Sequence, residues 1–170
     1  MMCCKVPEIT EFAKPPGVWC RHAVAQRGCG IYESRPSICR AFYCLWMQDA
    51  GLGPEWKPAR SKFVVYLQRN NVNLQVAVDP NFPNAWTKEP YYTRIKRWAQ
   101  EGAEHGRFVF VRLGRRMIAV LPRRDIEIGA VAAEEQPASN HIDGADDDRR
   151  PRRVGLPFAV VGELPAQRAD

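Results

Sequence analysis

All six cysteines of this chain lie within its first 44 residues: Cys3, Cys4, Cys20, Cys29, Cys39 and Cys44. None follows them. Cysteine used as a small core hydrophobe would not stop at one point in the chain. The stretch is also rich in Pro and Gly and has little periodic pattern before residue 34. So short and irregular a segment builds little hydrophobic core, and a bound metal can replace the missing part. Thiolates are soft ligands suited to zinc and to iron–sulfur clusters. All six cysteines are therefore candidate metal ligands.

An even cysteine count would suit three disulfides in a secreted chain. The first twelve residues show no basic stretch followed by an apolar core, so no secretory signal is read there. The expected compartment is the reducing cytoplasm, where structural disulfides are rare. No apolar run of about 18 residues is present, so no membrane span is expected. The hydrophobic share of 45% and charged share of 26% are those of a globular chain. Net charge is +6, spread unevenly over a basic middle and an acidic end.

Three regions separate. Residues 1–60 form the Cys-rich region. One helix is signalled within it: Ser34 can cap it and Pro36 fits its first turn. Ile38, Phe42, Leu45 and Trp46 then share a face, and Gly51, Gly53 and Pro54 stop it. Residues 61–128 read as an α+β unit. Residues 63–67 are a short apolar strand. Val72, Leu74, Val76 and Val78 alternate as in a half-buried strand. Asn70-Asn71 suits a tight turn between them. Residues 79–86 read as a loop. Pro90 opens a helix with Tyr91, Ile95 and Trp98 on one face, ended by Gly102. Residues 108–111 and 117–121 flank Leu113-Gly114 as a second hairpin, and 126–128 can add an edge strand. The expected fold class is α+β: a small metal-organised N-terminal region plus an antiparallel sheet of four or five strands with one packed helix. Residues 129–170 carry charge blocks and read as a disordered tail, except for an apolar run at 156–164.

The cysteine spacing is C-C-x15-C-x-H-x6-C-x9-C-x4-C. It matches neither the paired knuckles of a zinc ribbon nor the run of a bacterial ferredoxin. On a straight helix Cys39 and Cys44 lie about 140° apart at roughly 3.6 residues per turn. They meet one metal only if the helix ends or distorts between them. Adjacent residues such as Cys3 and Cys4 rarely both reach one zinc ion. A 4Fe–4S cubane offers several corners, which favours iron–sulfur while leaving zinc open. His22 is a candidate ligand too, although a loop histidine at the surface is the plainer reading. His105 and His141 read as surface residues.

The local residues are more specific than the spacing. They run Lys14-Pro-Pro-Gly-Val-Trp-Cys20-Arg-His22, then Cys29-Gly-Ile-Tyr-Glu-Ser-Arg-Pro-Ser-Ile-Cys39-Arg-Ala-Phe-Tyr-Cys44-Leu-Trp. Together with Cys3-Cys4 this segment resembles the CxxCxxCC (YkgJ-like) zinc- or iron-chelating domain family, over residues 3–46. The resemblance implies a bound iron–sulfur or zinc centre. One branch of that family resembles flagellin lysine N-methylases, which implies an enzymatic relative. Family members carry a further cysteine upstream of the Cys-Cys pair, and often Cys-x-His-Cys where this chain has Cys20-Arg21-His22-Ala23. Cys4, Cys29, Cys39 and Cys44 are the first ligand choice, with Cys3 and Cys20 in reserve. Cys20 is expected to matter less than Cys39, because His22 can substitute for it.

Other residues have a functional and a plain reading. Arg35 and Arg40 flank Cys39 and can lower thiolate pKa values, or simply face solvent. Trp19, Tyr32, Phe42 and Trp46 can shield a centre, or be ordinary core. Arg94, Lys96, Arg97, Arg115, Arg116, Arg123 and Arg124, with Tyr92 nearby, can form a phosphate-binding face. No RNA-recognition signature accompanies them, so a solvated surface is expected and nucleic acid is not. No nucleotide loop, zinc-protease motif or serine–histidine–aspartate order is present. The leading expectation is thus a small metal-binding protein without visible catalytic residues, with an unidentified protein as its one open kind of partner. The alternatives are a redox or methylase-like protein-modifying enzyme, and a nucleic-acid-binding module.

Overall fold

The computed structural model describes residues 2–68 and 72–130. The Asn70-Asn71 turn, His141 and the charged stretch beyond residue 130 with its apolar run lie outside the described residues. The protein is mixed α and β. A two-stranded hairpin pairs β1 (Ala23–Val24) with β2 (Gly28–Cys29). Three one-turn helices follow: α1 (Ser37–Ala41), α2 (Leu45–Gln48) and α3 (Pro58–Ser61). The main sheet comprises β3 (Phe63–Leu67), β4 (Leu74–Val78), β5 (Val109–Leu113), β6 (Arg116–Val120) and β7 (Asp125–Ala130), in that order. The long helix α4 (Tyr91–Ala103) lies between β4 and β5 in sequence.

The sheet is mixed, which corrects the expectation of an antiparallel one. β4 and β5 pair in parallel, with Val76 opposite Val111. The cause is α4. Antiparallel neighbours can be joined by a tight turn, whereas parallel ones need a crossover. Residues 79–108 supply that crossover, and α4 carries the chain back to the end where β4 began. The other three pairs are antiparallel. Gly114, at φ +60°, makes the two-residue turn between β5 and β6.

Alternation sorts the sheet into two faces. Phe63, Val65, Leu74, Val76, Val78, Val109, Val111 and Val120 point to one side. Ile95, Trp98 and Ala99 of α4 pack there, joined by Leu45, Leu52 and Trp56. Burying each such side chain stabilises the fold by about 1.5–3 kcal/mol. The helix does not stop at Gly102, which is buried inside it. It closes at Gly106, at φ +65°, where the Arg107 N–H returns to the Gly102 carbonyl at 2.9 Å. That bond is the signature of a left-handed glycine cap.

The Cys-rich segment covers part of the opposite face. Met2, Val6 and Cys44 bury against Val64 and Ala77. Every residue of β4 is consequently buried, from Leu74 through Gln75 to Val78. Lys5 reaches the end of β4 and meets both oxygens of Asp79, at 2.8 and 2.7 Å. Gly17 lies against the same end. It has φ +79°, and a Cβ there would come within 2.6 Å of the Pro80 ring.

The single helix expected after Ser34 is two. Pro36 stands at the N-cap of α1, and no side chain caps it. Phe42 and Cys44 are extended, and Cys44 begins α2. No glycine or proline forces this break. Tertiary contacts do: Phe42 sets its ring edge-on to Tyr66 at 5.4 Å, Cys44 turns under the sheet, and Leu45 enters the core beyond its edge.

Candidate metal centre

Cys3 and Cys4 lie in a 3-10 turn, Met2–Cys4. The turn is fixed by bonds from the Lys5 and Val6 N–H groups to the Met2 carbonyl, at 3.0 and 2.8 Å. Its apolar partners, Met2 and Val6, anchor it to the sheet. Cys20 is tied to this turn directly: its N–H donates to the Cys4 carbonyl at 2.8 Å. The chain then turns tightly, with the Ala23 N–H on the Cys20 carbonyl and the His22 N–H facing the Cys20 sulfur at 3.5 Å. The hairpin β1–β2 follows. Gln26 and Gly28, both at positive φ, reverse the chain and set Cys29 opposite Ala23. The Gly30 N–H then bonds the His22 carbonyl at 2.8 Å, which returns the chain toward the turn after Cys20. Cys39 is half-buried on α1, and Cys44 is buried at the start of α2.

All six cysteines are free thiols. Their electrostatics show that they are neighbours. The Cys4 thiol donates to the Cys3 sulfur and holds the Cys3 pKa down to about 6. The reciprocal bond, with burial and the charges of Cys3, Cys29 and Cys20, drives the Cys4 pKa far up. Cys39 is raised by burial first, then by Cys20, Glu11, Cys29 and Cys3. Cys4 and Cys39 thus each sense the charges of Cys3, Cys20 and Cys29. Cys44 is raised mainly by burial against the sheet, with the N–H groups of Met47 and Trp46 opposing, and it senses Cys3. Among the described residues, no three Cys, His, Asp or Glu side chains converge tightly enough to hold an ion as they stand. The donor chemistry suits a soft metal, and binding one would require the cysteine loops to close further.

Several candidates have other engagements. The His22 ring packs on Phe12 at 4.9 Å, and its Nε2 accepts from Arg21 at 3.2 Å. Arg35 stacks on Tyr32 at 3.6 Å and donates to the Tyr32 carbonyl. Arg40 is exposed, as are Trp19 and Tyr32. Phe42 and Trp46 pack on the core clusters. In the basic middle, Lys96 is bound to Asp125 at 2.8 Å and to the Leu121 carbonyl, and Arg116 pairs with Glu127 at 2.7 Å. These cations are already matched within the chain. His105 bonds the Glu101 carbonyl at the surface.

A buried cation that sequence reasoning passed over is Lys14, whose amine donates to the Lys5, Pro7 and Pro15 carbonyls. It is 5% exposed. Its only sequence mark is its place before Pro15-Pro16. Burial holds its pKa down to about 8, while Cys20, Cys4, Glu8 and Cys3 pull it up.

No model of a known family, no curated protein and no solved structure matches the chain. No helix among the described residues is long and apolar enough to cross a membrane.

Proposed function

We propose that this chain is a small metal-binding protein of a reducing compartment, the cytoplasm, whose N-terminal thiolates hold an iron–sulfur cluster or zinc. One arrangement carries the reading: the Cys20 N–H is bonded to the Cys4 carbonyl, and Cys4 and Cys39 each sense Cys3, Cys20 and Cys29, so thiols of four chain segments share one region. Cysteines kept for packing alone have no reason to gather in this way. The residues shared with the CxxCxxCC family over 3–46 point in the same direction. Cys4, Cys20, Cys29 and Cys39 are the favoured ligands. Cys20 joins them because it is buried and bonded to Cys4, and its support from His22 is weak. Cys3 is the exposed thiolate next to the group, and Cys44 is the buried thiol at its sheet side. Metal binding would close the hairpin and α1 onto the Met2–Cys4 turn, so part of its free energy would become folding free energy.

Anaerobic purification followed by iron, sulfide and zinc analysis tests the reading. About one zinc, or about four irons with four sulfides, per chain supports it. A colourless protein holding neither metal, and unable to take either up, refutes it.

A further inference from the structure

The Cys-rich segment covers only part of the sheet face that α4 leaves open. It reaches as far as Arg112 and Gly114, which share a small cavity with Val6, Glu8 and Pro16. Beyond them the face belongs to Phe110, Ala119 and Ile126, set side by side by the register of β5, β6 and β7. Ile118 and Val120 turn to the α4 side, so Ala119 and its partners turn away from it. Ala119 is the small residue of this row, between a phenylalanine and an isoleucine. It makes the floor of a shallow apolar groove along β6. Met117 continues the floor, and each of the two is 9% exposed. The rims are open. Phe108, whose ring lies 6.2 Å from that of Phe110, is 43% exposed, and Ile126 and Ile128 are 36% and 52% exposed. None of these side chains belongs to either core cluster of the described residues.

Apolar groups gathered on one exposed surface mark a place that something else covers. β7 is the outermost strand, and the chain continues directly from its last residue, Ala130, into residues 131–170. Within that continuation, residues 156–164 carry Leu156, Phe158, Val160, Val161 and Leu164 in nine positions. In extended form Leu156, Phe158 and Val160 fall on one side. Pro157 has no N–H to give to a strand ladder, so the run suits a place laid over a sheet face better than one inside a sheet. Twenty-five residues join Ala130 to Leu156. Fully extended they span up to about 80 Å, against roughly 17 Å for a five-residue strand. A tethered segment meets its site at an effective concentration on the order of millimolar, an advantage that a second copy lacks. Charge favours the same occupant. Residues 107–130 hold six arginines against Asp125 and Glu127, whereas residues 131–170 hold eight acidic residues against five arginines.

We infer that the apolar groove between Phe110 and Ile126 is the docking site of this chain's own residues 156–164, with the Phe158 ring as the anchor. The Cys-rich segment and this run then each cover one half of the second sheet face. The inference goes beyond the metal-binding reading and does not depend on it.

The experiment uses the full chain with its thiols kept reduced, labelled for nuclear magnetic resonance at isoleucine methyls and phenylalanine rings. Overhauser contacts should join the Phe158 ring to the Ile126 methyls and should persist on dilution. Phe158→Asp should abolish them, shift the Ile126 and Ile128 methyl resonances and speed amide exchange in β7 by about fivefold or more, with β3 and β4 unchanged. Phe158→Leu should keep the slow exchange. Ile126→Asp changes the groove instead of the run, at a partly exposed position, and should raise the amide exchange of residues 156–164. Absence of the contacts in the parent chain, or methyl resonances and β7 exchange indifferent to Phe158→Asp, overturns the inference. Contacts that vanish on dilution, or that join a labelled chain to an unlabelled one, assign the groove to a second copy and overturn it as well. None of these outcomes alters the metal reading, which metal analysis decides separately.

Discussion

Asp79→Asn is the substitution that best tests how the Cys-rich segment is attached to the sheet. Asp79 follows β4, and its side chain is 3% exposed. Both its oxygens bind Lys5, 74 positions away, and Oδ1 also accepts from the Asn81 N–H at 3.0 Å. Asparagine keeps an oxygen for Asn81, so the local turn survives. What is lost is the charge facing a lysine whose side chain is 9% exposed. Removing one partner of a buried pair costs about 3–5 kcal/mol, because the other charge is left unpaired. Against a total of about 5–15 kcal/mol for a domain, that is a large share. With a urea slope near ~1.5 kcal/mol/M, the unfolding midpoint should fall by about 2–3 M. Hydrogen exchange should rise first at the amides of Val6 and Gly17, whose bonds to Met2 and Val6 hold the segment in place. The double variant Lys5→Met, Asp79→Leu should recover most of the loss, since well-packed apolar pairs replace buried ion pairs at little cost. It forgoes the Asn81 bond, worth about 1 kcal/mol, and the contact of the Lys5 amine with the Trp19 ring. A single-variant loss below ~1 kcal/mol, or a double variant no better than the single, would show that the pair does not anchor the segment.

Three further outcomes follow from the same geometry. Cys3 has its pKa lowered from 9.0 to about 6 by the Cys4 bond, so its thiolate is present above that pH. Alkylation of the metal-free chain, followed by mass spectrometry, should modify Cys3 with a midpoint near pH 6, and Cys4, Cys39 and Cys44 only in alkali; a Cys3 midpoint near 9 would mean that the Cys4 bond is not formed in solution. Gly17→Ala should destabilise the chain by more than the ~1 kcal/mol expected for positive φ alone, because its Cβ would also strike the Pro80 ring; a neutral thermal shift would show that this approach relaxes freely. Cys20→Ser should abolish metal retention as fully as Cys39→Ser does, measured by metal content of the purified variants. Retention in Cys20→Ser alone would return Cys20 to a secondary role and give His22 the part of a substitute.

Most of the sheet was legible because its signals are local. Residues 63–67 read as a strand and are one; the half-buried strand read over Val72, Leu74, Val76 and Val78 holds for its last three members, whereas Val72 lies exposed outside β4 and β4 is buried on both faces. The face of Tyr91, Ile95 and Trp98 was equally plain, and those residues pack into the core. Strand direction was not local. Hairpin signals at both ends suggest a meander, and only the length of the crossover shows that β5 must run parallel to β4. The stop at Gly102 failed for a related reason. Two glycines near a helix end compete, and tertiary packing buried the first inside the helix and left Gly106 free to adopt positive φ.

The candidate centre was legible in its composition and opaque in its arrangement. That the cysteines belong together follows from their confinement to 44 residues. Which of them do so depends on contacts no spacing rule encodes. Cys29 comes back opposite Ala23 through a hairpin of two-residue strands, too short for any alternation to reveal. Cys44 leaves the direction of Cys39 because the sheet draws Phe42 and Leu45 to different places, and that pull acts across the fold. The same distinction separates the arginines from Lys14. Arg35 and Arg40 looked apt because they flank Cys39 in sequence, yet one is spent on Tyr32 and the other is exposed. Lys14 lies six residues from the nearest cysteine, and the Lys5, Pro7 and Pro15 carbonyls fold around its amine. Adjacency along the chain is a poor guide to charge in a segment with so little regular structure. Neighbourhood there is set by where the backbone carbonyls point.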